Sequence, residues 1–346
     1  MGGGEKHVVD LSNELAKRGH DVFVAVAPSS PLRQKLAEIP AANIQEFPLR
    51  NALDIPSAIK IAKFVREKNV ELINAHFAKD YPVAAFAARR AGVPFVITRH
   101  VLFPMNKLHR FSLRDVRFVI APSNAAAESL RDQGLFPDDK IVTIRYGLDV
   151  ENFHMRDRKS HDGFVIGSIG NLDPVKGFDI LIRAAAIISK AKPDVSLKIV
   201  GEDRSRDRRN ETALRNLVDE LDVGGIVEFG GWSNNIADVL SDFDIFVSAS
   251  RSESFGFVIS EAMLAGVPVV ATETEGAKEI ISSFSLGRLV PMNSPSAIAD
   301  GVLRLIEDNR ERSLLASSGR EYVTDNFSLE RMICETEELY RRLIAV

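Results

Sequence analysis

Two carboxylates, Glu253 and Glu261, bracket the segment Ser254-Phe255-Gly256-Phe257-Val-Ile-Ser. The β-branched run Ile245–Ser248 stands ahead of them. A helical pattern follows from Phe257 to Ala265, and Pro268 opens the next run. A strand that turns into a helix there offers backbone N–H groups at Phe255, Gly256 and Phe257, and a helix start favours phosphate. Gly256 lets a ligand approach the main chain closely. Glu253 precedes the helix and Glu261 lies in its second turn, so the two aim at different parts of one ligand. Carboxylates are good acceptors for sugar or ribose hydroxyls. By spacing alone they are equally two solvated glutamates; the glycine between them and the strand ahead separate these readings.

A second constellation is Gly170-Asn171-Leu-Asp-Pro-Val-Lys176-Gly177, between the run Gly163–Ile169 and a helical pattern over Gly177–Lys190. Gly170 permits a tight exit, Lys176 can pair with a phosphate, and Gly177 leaves room at the helix start. It is not a P-loop, because the spacing differs and no Ser or Thr follows the lysine. His100 and His76 each end a predicted strand. A histidine there can hydrogen-bond a reacting centre or simply be structural. Asp242-Phe-Asp244 mimics a D-x-D metal motif, but it precedes an apolar strand and reads as a turn. No metal cluster is expected.

The elements that must position these residues alternate. In the first half, strands are predicted at Asp21–Ala27, Val70–Ala75, Pro94–Thr98, Arg117–Ala121 and Lys140–Arg145. Helices are predicted at Ile55–Lys68, Lys79–Ala91 and Asn124–Gln133. The second half adds strands at Gly163–Ile169, Ser196–Val200, Ile226–Phe229, Ile245–Ser248 and Pro268–Ala271. Its helices are Gly177–Lys190, Thr212–Leu221, Ile236–Leu240 and Phe257–Ala265. Such alternation means βαβ units, parallel sheets and ligands outside the strands' carboxyl ends. The polar stretch 155–163 reads as a linker. Two doubly wound domains facing a cleft are therefore expected: 1–153, and 154–326 followed by a closing helix within 327–346. Gly2, Gly3 and Gly4 read as a loop that feeds a helix over Glu5–Arg18. No strand precedes that loop, so the central strand of the first sheet is expected to be missing from this sequence. On that reading the gene product begins upstream of Met1 with about five to eight further apolar residues, a strand's usual length.

A length of 346 residues suits two domains, with 45% apolar and 27% charged residues, ordinary for a globular protein. One cysteine, Cys334, excludes an intrachain disulfide. No apolar run is long enough to cross a bilayer and no signal segment opens the chain, so a cytoplasmic location is expected. Residues 1–153 carry 21 Lys+Arg against 17 Asp+Glu, and the remainder 23 against 31. The basic first half suggests an anionic membrane surface or a phosphorylated acceptor, and no nucleic acid.

The residues also resemble a family. Glu253 and Glu261 match the E-x7-E motif of the family 4 retaining glycosyltransferases, which have the GT-B fold of two Rossmann-like domains. Gly170–Gly177 is similar to their G-R-L-x-x-x-K-G loop, and Tyr146-Gly-Leu-Asp-Val-Glu-Asn-Phe153 to their N-G-V-D-x-x-x-F signature. Gly2-Gly-Gly-Glu5 resembles their G-G-x-E loop, and Phe327–Leu343 their last helix, which crosses back to the first domain. The resemblance covers essentially the whole chain. It implies that Glu261 holds ribose hydroxyls, Glu253 the donor sugar, and the N–H groups of Ser254–Phe257 and Lys176 the pyrophosphate. It places the base near Phe229, His100 near the sugar, and Gly3 and Gly4 near donor or acceptor; His76, by its place at a strand end, is a further candidate contact. It also implies a nucleotide-diphosphate sugar as co-substrate, no cofactor, and a glycan or lipid-linked acceptor. The family usually has arginine at Asn171. Arg251 and the Arg204–Arg209 cluster are the candidates to replace that cation. A nucleotide-sugar epimerase of the same fold and a non-catalytic nucleotide-sugar binder are the alternatives.

One further segment stands out. Phe103, Leu108, Phe111 and Leu113 interleave with Lys107, His109, Arg110, Arg114 and Arg117. Either it lies on an anionic membrane, which would place the protein peripherally at the inner face, or its apolar side packs into the core.

Overall fold

A computed structural model describes residues 2–28, 30–151, 153 and 163–344. Most of the expected linker lies outside the described residues. The chain divides into two compact units, 1–147 with 329–346, and 148–328.

The 148–328 unit holds β7 (Phe164–Ile169), β8 (Val195–Val200), β9 (Val227–Gly231), β10 (Ile245–Ser248), β11 (Val269–Thr272) and β12 (Arg288–Val290), numbered after six strands of the other unit. They form one parallel sheet in the order β12-β11-β10-β7-β8-β9. The chain builds outward from β7 to β9, then returns to the other side of β7 with β10. The switch point therefore lies between β7 and β10, where Ile245 pairs with Ile166 and Phe246 with Gly167. All four residues of β11 are buried, as expected for a parallel strand covered on both faces. The helix Phe178–Ala191 puts Leu181, Ile182, Ala185 and Ile188 into that core. Gly167 and Phe243 show how tightly it closes. A β-carbon at Gly167 would come within 2.0 Å of the Phe243 ring.

The 1–147 unit holds β1 (Val24–Val26), β2 (Ile44–Glu46), β3 (Ile73–Ala75), β4 (Phe95–Thr98), β5 (Phe118–Ala121) and β6 (Ile141–Thr143). Its parallel strands fall into two sheets, β1-β2 and β3-β4-β5-β6. The first described element of this unit is the helix Gly3–Lys17. One expectation is corrected here. Gly3 and Gly4 are not a loop but the first turn of that helix, because the Gly2 N–H donates to Glu5 Oε2 at 2.7 Å and fixes the helix start. The helix Leu329–Ile344 packs in the same unit. There Glu337 accepts from Arg18 at 2.9 Å, and the Tyr340 hydroxyl lies 2.6 Å from Asn74 Nδ2. No described helix is long and apolar enough to cross a membrane.

Candidate active site

Strand order brings the two constellations of the 148–328 unit together. The Gly170–Gly177 loop leaves β7, the Glu253 segment leaves β10, and these strands are neighbours. Asp173 accepts from the Val175 N–H at 3.1 Å and caps the short 3-10 turn Pro174–Lys176. Gly177 follows in the left-handed region (φ +66°), and a β-carbon there would come within 2.0 Å of the Ala249 carbonyl. That close approach presses the loop against the end of β10. Lys176 Nζ then meets Glu253 Oε2 at 2.7 Å, across 77 positions of sequence. Both side chains are partly accessible, at 27% and 19%. Ser168, Ser248, Ser250 and Gly256 line the same pocket.

Gly256, at φ +100°, turns the chain into the helix Phe257–Leu264. Phe255 is buried against Phe257 and Phe327, with ring centroids 5.3 and 5.5 Å apart, so its side chain anchors the turn and only its main chain is left to meet a ligand. Gly276 N–H donates to the Glu253 carbonyl at 2.9 Å, which holds the turn from its other side. Glu261 is half-buried in the helix's second turn and Ser254 half-buried before it. A helix start, an ammonium and a carboxylate thus converge. Together they can bind a diphosphate and accept a hydrogen bond from a hydroxyl.

Asn171 sits half-buried in the loop after β7. Of the two candidates for the absent arginine, Arg251 lies beside the loop but is held by Asp179 through two hydrogen bonds of 2.8 and 2.7 Å. Its Nη1 also donates to the Pro174 carbonyl at 2.6 Å. Burial would raise the Asp179 carboxyl, but the Arg251 hydrogen bonds and charge pull it below its ordinary range. Arg251 therefore staples the loop that carries Lys176. In the other candidate cluster, Arg204 pairs with Glu202 at 2.8 Å and lies 5.6 Å over the Trp232 ring, Arg206 pairs with Asp207, and Arg208 pairs with Glu211. Phe229, on β9, has the Arg215 guanidinium 4.6 Å from its ring centre. Asp242 and Asp244 are structural: one accepts from Lys198 Nζ at 3.0 Å, the other from the Val165 N–H at 2.9 Å, and Phe243 between them is buried.

In the 1–147 unit, His76 follows β3 and His100 follows β4. Their rings stack with centroids 5.3 Å apart, and His76 Nδ1 lies 3.2 Å from His100 Nε2. His100 Nδ1 is hydrogen-bonded to the Tyr146 hydroxyl. His7, from the opening helix, packs 5.7, 5.3 and 4.9 Å from His76, His100 and Tyr146. A β-carbon at Gly4 would sit 3.0 Å from the His100 ring, so the glycine lets the helix start lie against it. Burial lowers the pKa of His76 to about 4. Burial, then neighbouring charge, holds His7 and His100 well below the ordinary histidine value. All three are neutral at pH 7. His100 thus has a hydrogen-bonding neighbour at each ring nitrogen, Tyr146 at Nδ1 and His76 at Nε2. Sequence reasoning missed His7 and Tyr146. The available signal was that Tyr146 stands where the resembled signature has asparagine.

A family model of the glycosyl transferases group 1 matches residues 149–322, and a family 4 glycosyltransferase model matches residues 1–152. The chain belongs to this glycosyltransferase family. It is 28% identical to the lipopolysaccharide core biosynthesis glycosyltransferase LpsE of Rhizobium meliloti, over 99% of this chain and 96% of the relative. It is 24% identical to the N-acetyl-alpha-D-glucosaminyl L-malate synthase of Bacillus anthracis, over 98% and 94%. The crystal structure of Anabaena HepE in complex with UDP-glucose superposes with a TM-score of 0.87 at 24% identity, over 99% of this chain and 97% of that one. The fold is thus GT-B, and the pocket at the β7–β10 switch point is the candidate donor site of a glycosyltransferase.

Proposed function

We propose that this glycosyltransferase moves a sugar, with retention, from a UDP-sugar to a hydroxyl of a cell-envelope glycan or lipid-linked acceptor, and that it needs no metal ion or cofactor. The observation that carries this reading is the Lys176–Glu253 pair at the start of the helix Phe257–Leu264. A diphosphate offers Lys176 a stronger anionic partner, and the helix start adds N–H donors to the same group. Glu253, released, is free to hold a donor-sugar hydroxyl, and Glu261 to hold the ribose. The acceptor hydroxyl then attacks the anomeric carbon on the face the nucleotide leaves. The carbon–phosphate-oxygen bond breaks, the new glycosidic bond forms, and the hydroxyl proton passes to the departing diphosphate. Orientation and electrostatic stabilisation of the leaving group are the protein's share. The choice of UDP follows the ligand of the HepE crystal structures, and the envelope acceptor follows LpsE. The basic first half suits an acceptor with phosphate or one held at the inner membrane face.

The test is a thermal-shift panel of nucleotides and nucleotide sugars, followed by mass spectrometry and anomeric NMR of products formed with envelope lipid, with and without chelator. A ligand at 100 times its Kd stabilises by about 2.7 kcal/mol. A shift with UDP and a product of retained configuration that survives chelator support the reading. An inverted product, or activity that returns only with added magnesium or manganese, overturns it.

A further inference from the structure

The segment between β4 and β5 sends its apolar side chains two ways. Met105, Leu113 and Val116 are buried in the core around β4 and β5. Phe103, Leu108 and Phe111 lie outside it, 67%, 70% and 75% exposed. The core reading of this stretch holds for Leu113, while Phe103, Leu108 and Phe111 remain in water. Lys107, Arg110, Arg114 and Arg117, in or next to the same stretch of chain, are exposed as well. Asp115 is the one acid between Val101 and Arg117, and it is paired with Arg89 and Arg114.

Three large apolar groups held in water within nine positions are costly unless something covers them. The cations of the same stretch select the cover. Against a second copy of the same surface, it would meet like charges. Against an anionic bilayer both halves are satisfied: apolar tips enter the acyl boundary while Lys and Arg stay at the phosphates. We propose that the 103–114 segment is a docking surface for an anionic lipid bilayer, with Phe103, Leu108 and Phe111 inserted and Lys107, Arg110 and Arg114 on the headgroups. It extends the acceptor reading above. Vesicle binding needs no sugar transfer, however, so either can fail without the other.

The test is co-sedimentation of the full chain with vesicles of phosphatidylcholine, alone or mixed with phosphatidylglycerol. Binding to the anionic vesicles only is expected. The combined Phe103→Ser, Leu108→Ser and Phe111→Ser variant should lose at least about tenfold in partitioning. Lys107→Gln and Arg110→Gln should each lose about fivefold, less as salt rises. Melting temperatures and UDP-induced shifts of these variants should match the parent. As an independent reading, Phe111→Trp in a Trp232→Phe background should shift its emission to the blue on adding anionic vesicles. No binding to either vesicle, binding that the serine variant retains, or unmoved emission overturns the proposal. So does a dimer in sedimentation that the serine variant dissolves, because the surface then belongs to a second copy.

Discussion

In the 148–328 unit, Lys176 and Glu253 meet as full charges 2.7 Å apart beside a helix start; in the 1–147 unit, His7, His76, His100 and Tyr146 meet as neutral rings. Both groups sit at the carboxyl ends of parallel strands, yet water decides their character. The ion pair keeps part of its surface accessible, so neither charge bears a full desolvation cost and either can change partner. His7 is buried and His76 and His100 are half-buried, and this withdrawal from water disfavours the proton that would make them cations. The first arrangement attracts a diphosphate. The second offers hydrogen bonds of fixed direction and no net charge. A donor site therefore calls for the first, and a contact to a neutral sugar suits the second.

The largest effect should come from the charged centre. Lys176→Ala should lower turnover by about a hundredfold and weaken UDP binding, as for loss of one preorganised charge stabiliser. Glu253→Gln should separate the partners: transfer falls, while UDP binding holds or tightens because Lys176 loses a competing anion. Initial rates together with UDP titrations check both. Parental turnover in the two variants would place the site elsewhere.

Acid should act on the neutral centre. The folded imidazoles titrate low, His76 at about 4, whereas unfolded histidine titrates near 6.5. Below that value the unfolded chain binds protons that the folded chain refuses. Stability is then full above about pH 6.5 and falls toward the folded pKa, by about 1.4 kcal/mol per histidine per pH unit. Denaturant midpoints measured from pH 7 to pH 5 should show the slope, and His76→Asn should flatten it. Equal slopes for parent and variant would mean that the cluster is not held neutral.

Smaller changes probe the loop. Arg251→Lys keeps the charge but loses the two-pronged grip on Asp179, at about 1–2 kcal/mol. It should lower UDP affinity through the Lys176 loop with little change once donor is saturating. A KM and kcat pair distinguishes this from direct contact, which would depress kcat as well. Asn171→Arg should have the smallest effect, tightening UDP by about 1 kcal/mol or less, the scale of a partly exposed ion pair. Weaker binding in that variant would show that the asparagine itself is used.

Much of this was legible before the fold. Strand and helix positions follow from apolar periodicity, so β10 and the helix Phe257–Leu264 lie within a residue of their expected places. The short edge strands β2 (Ile-Gln-Glu) and β12 (Arg-Leu-Val) were missed because each includes a charged residue and shows no apolar run. Asp242 and Asp244 were legible as a turn, since the strand after them is apolar. Arg251 read as a spare cation. Its engagement by Asp179, 72 positions away, is a long-range contact that no local pattern announces.

What the sequence determined by itself is the set of parts: the phosphate-favouring helix start at Gly256, the lysine loop, the histidines at strand ends and the likeness to a glycosyltransferase family. Local chemistry suffices for these, because turns, caps and periodicity depend on neighbours along the chain. Only the tertiary structure decided that β7 lies beside β10, which brings Lys176 to Glu253. Only it decided that His7 and Tyr146 enclose His100, and that Phe103, Leu108 and Phe111 stay outside the core that takes Leu113. Strand order and burial are set by how all the apolar faces can be covered at once, a condition on the whole chain that no single segment contains.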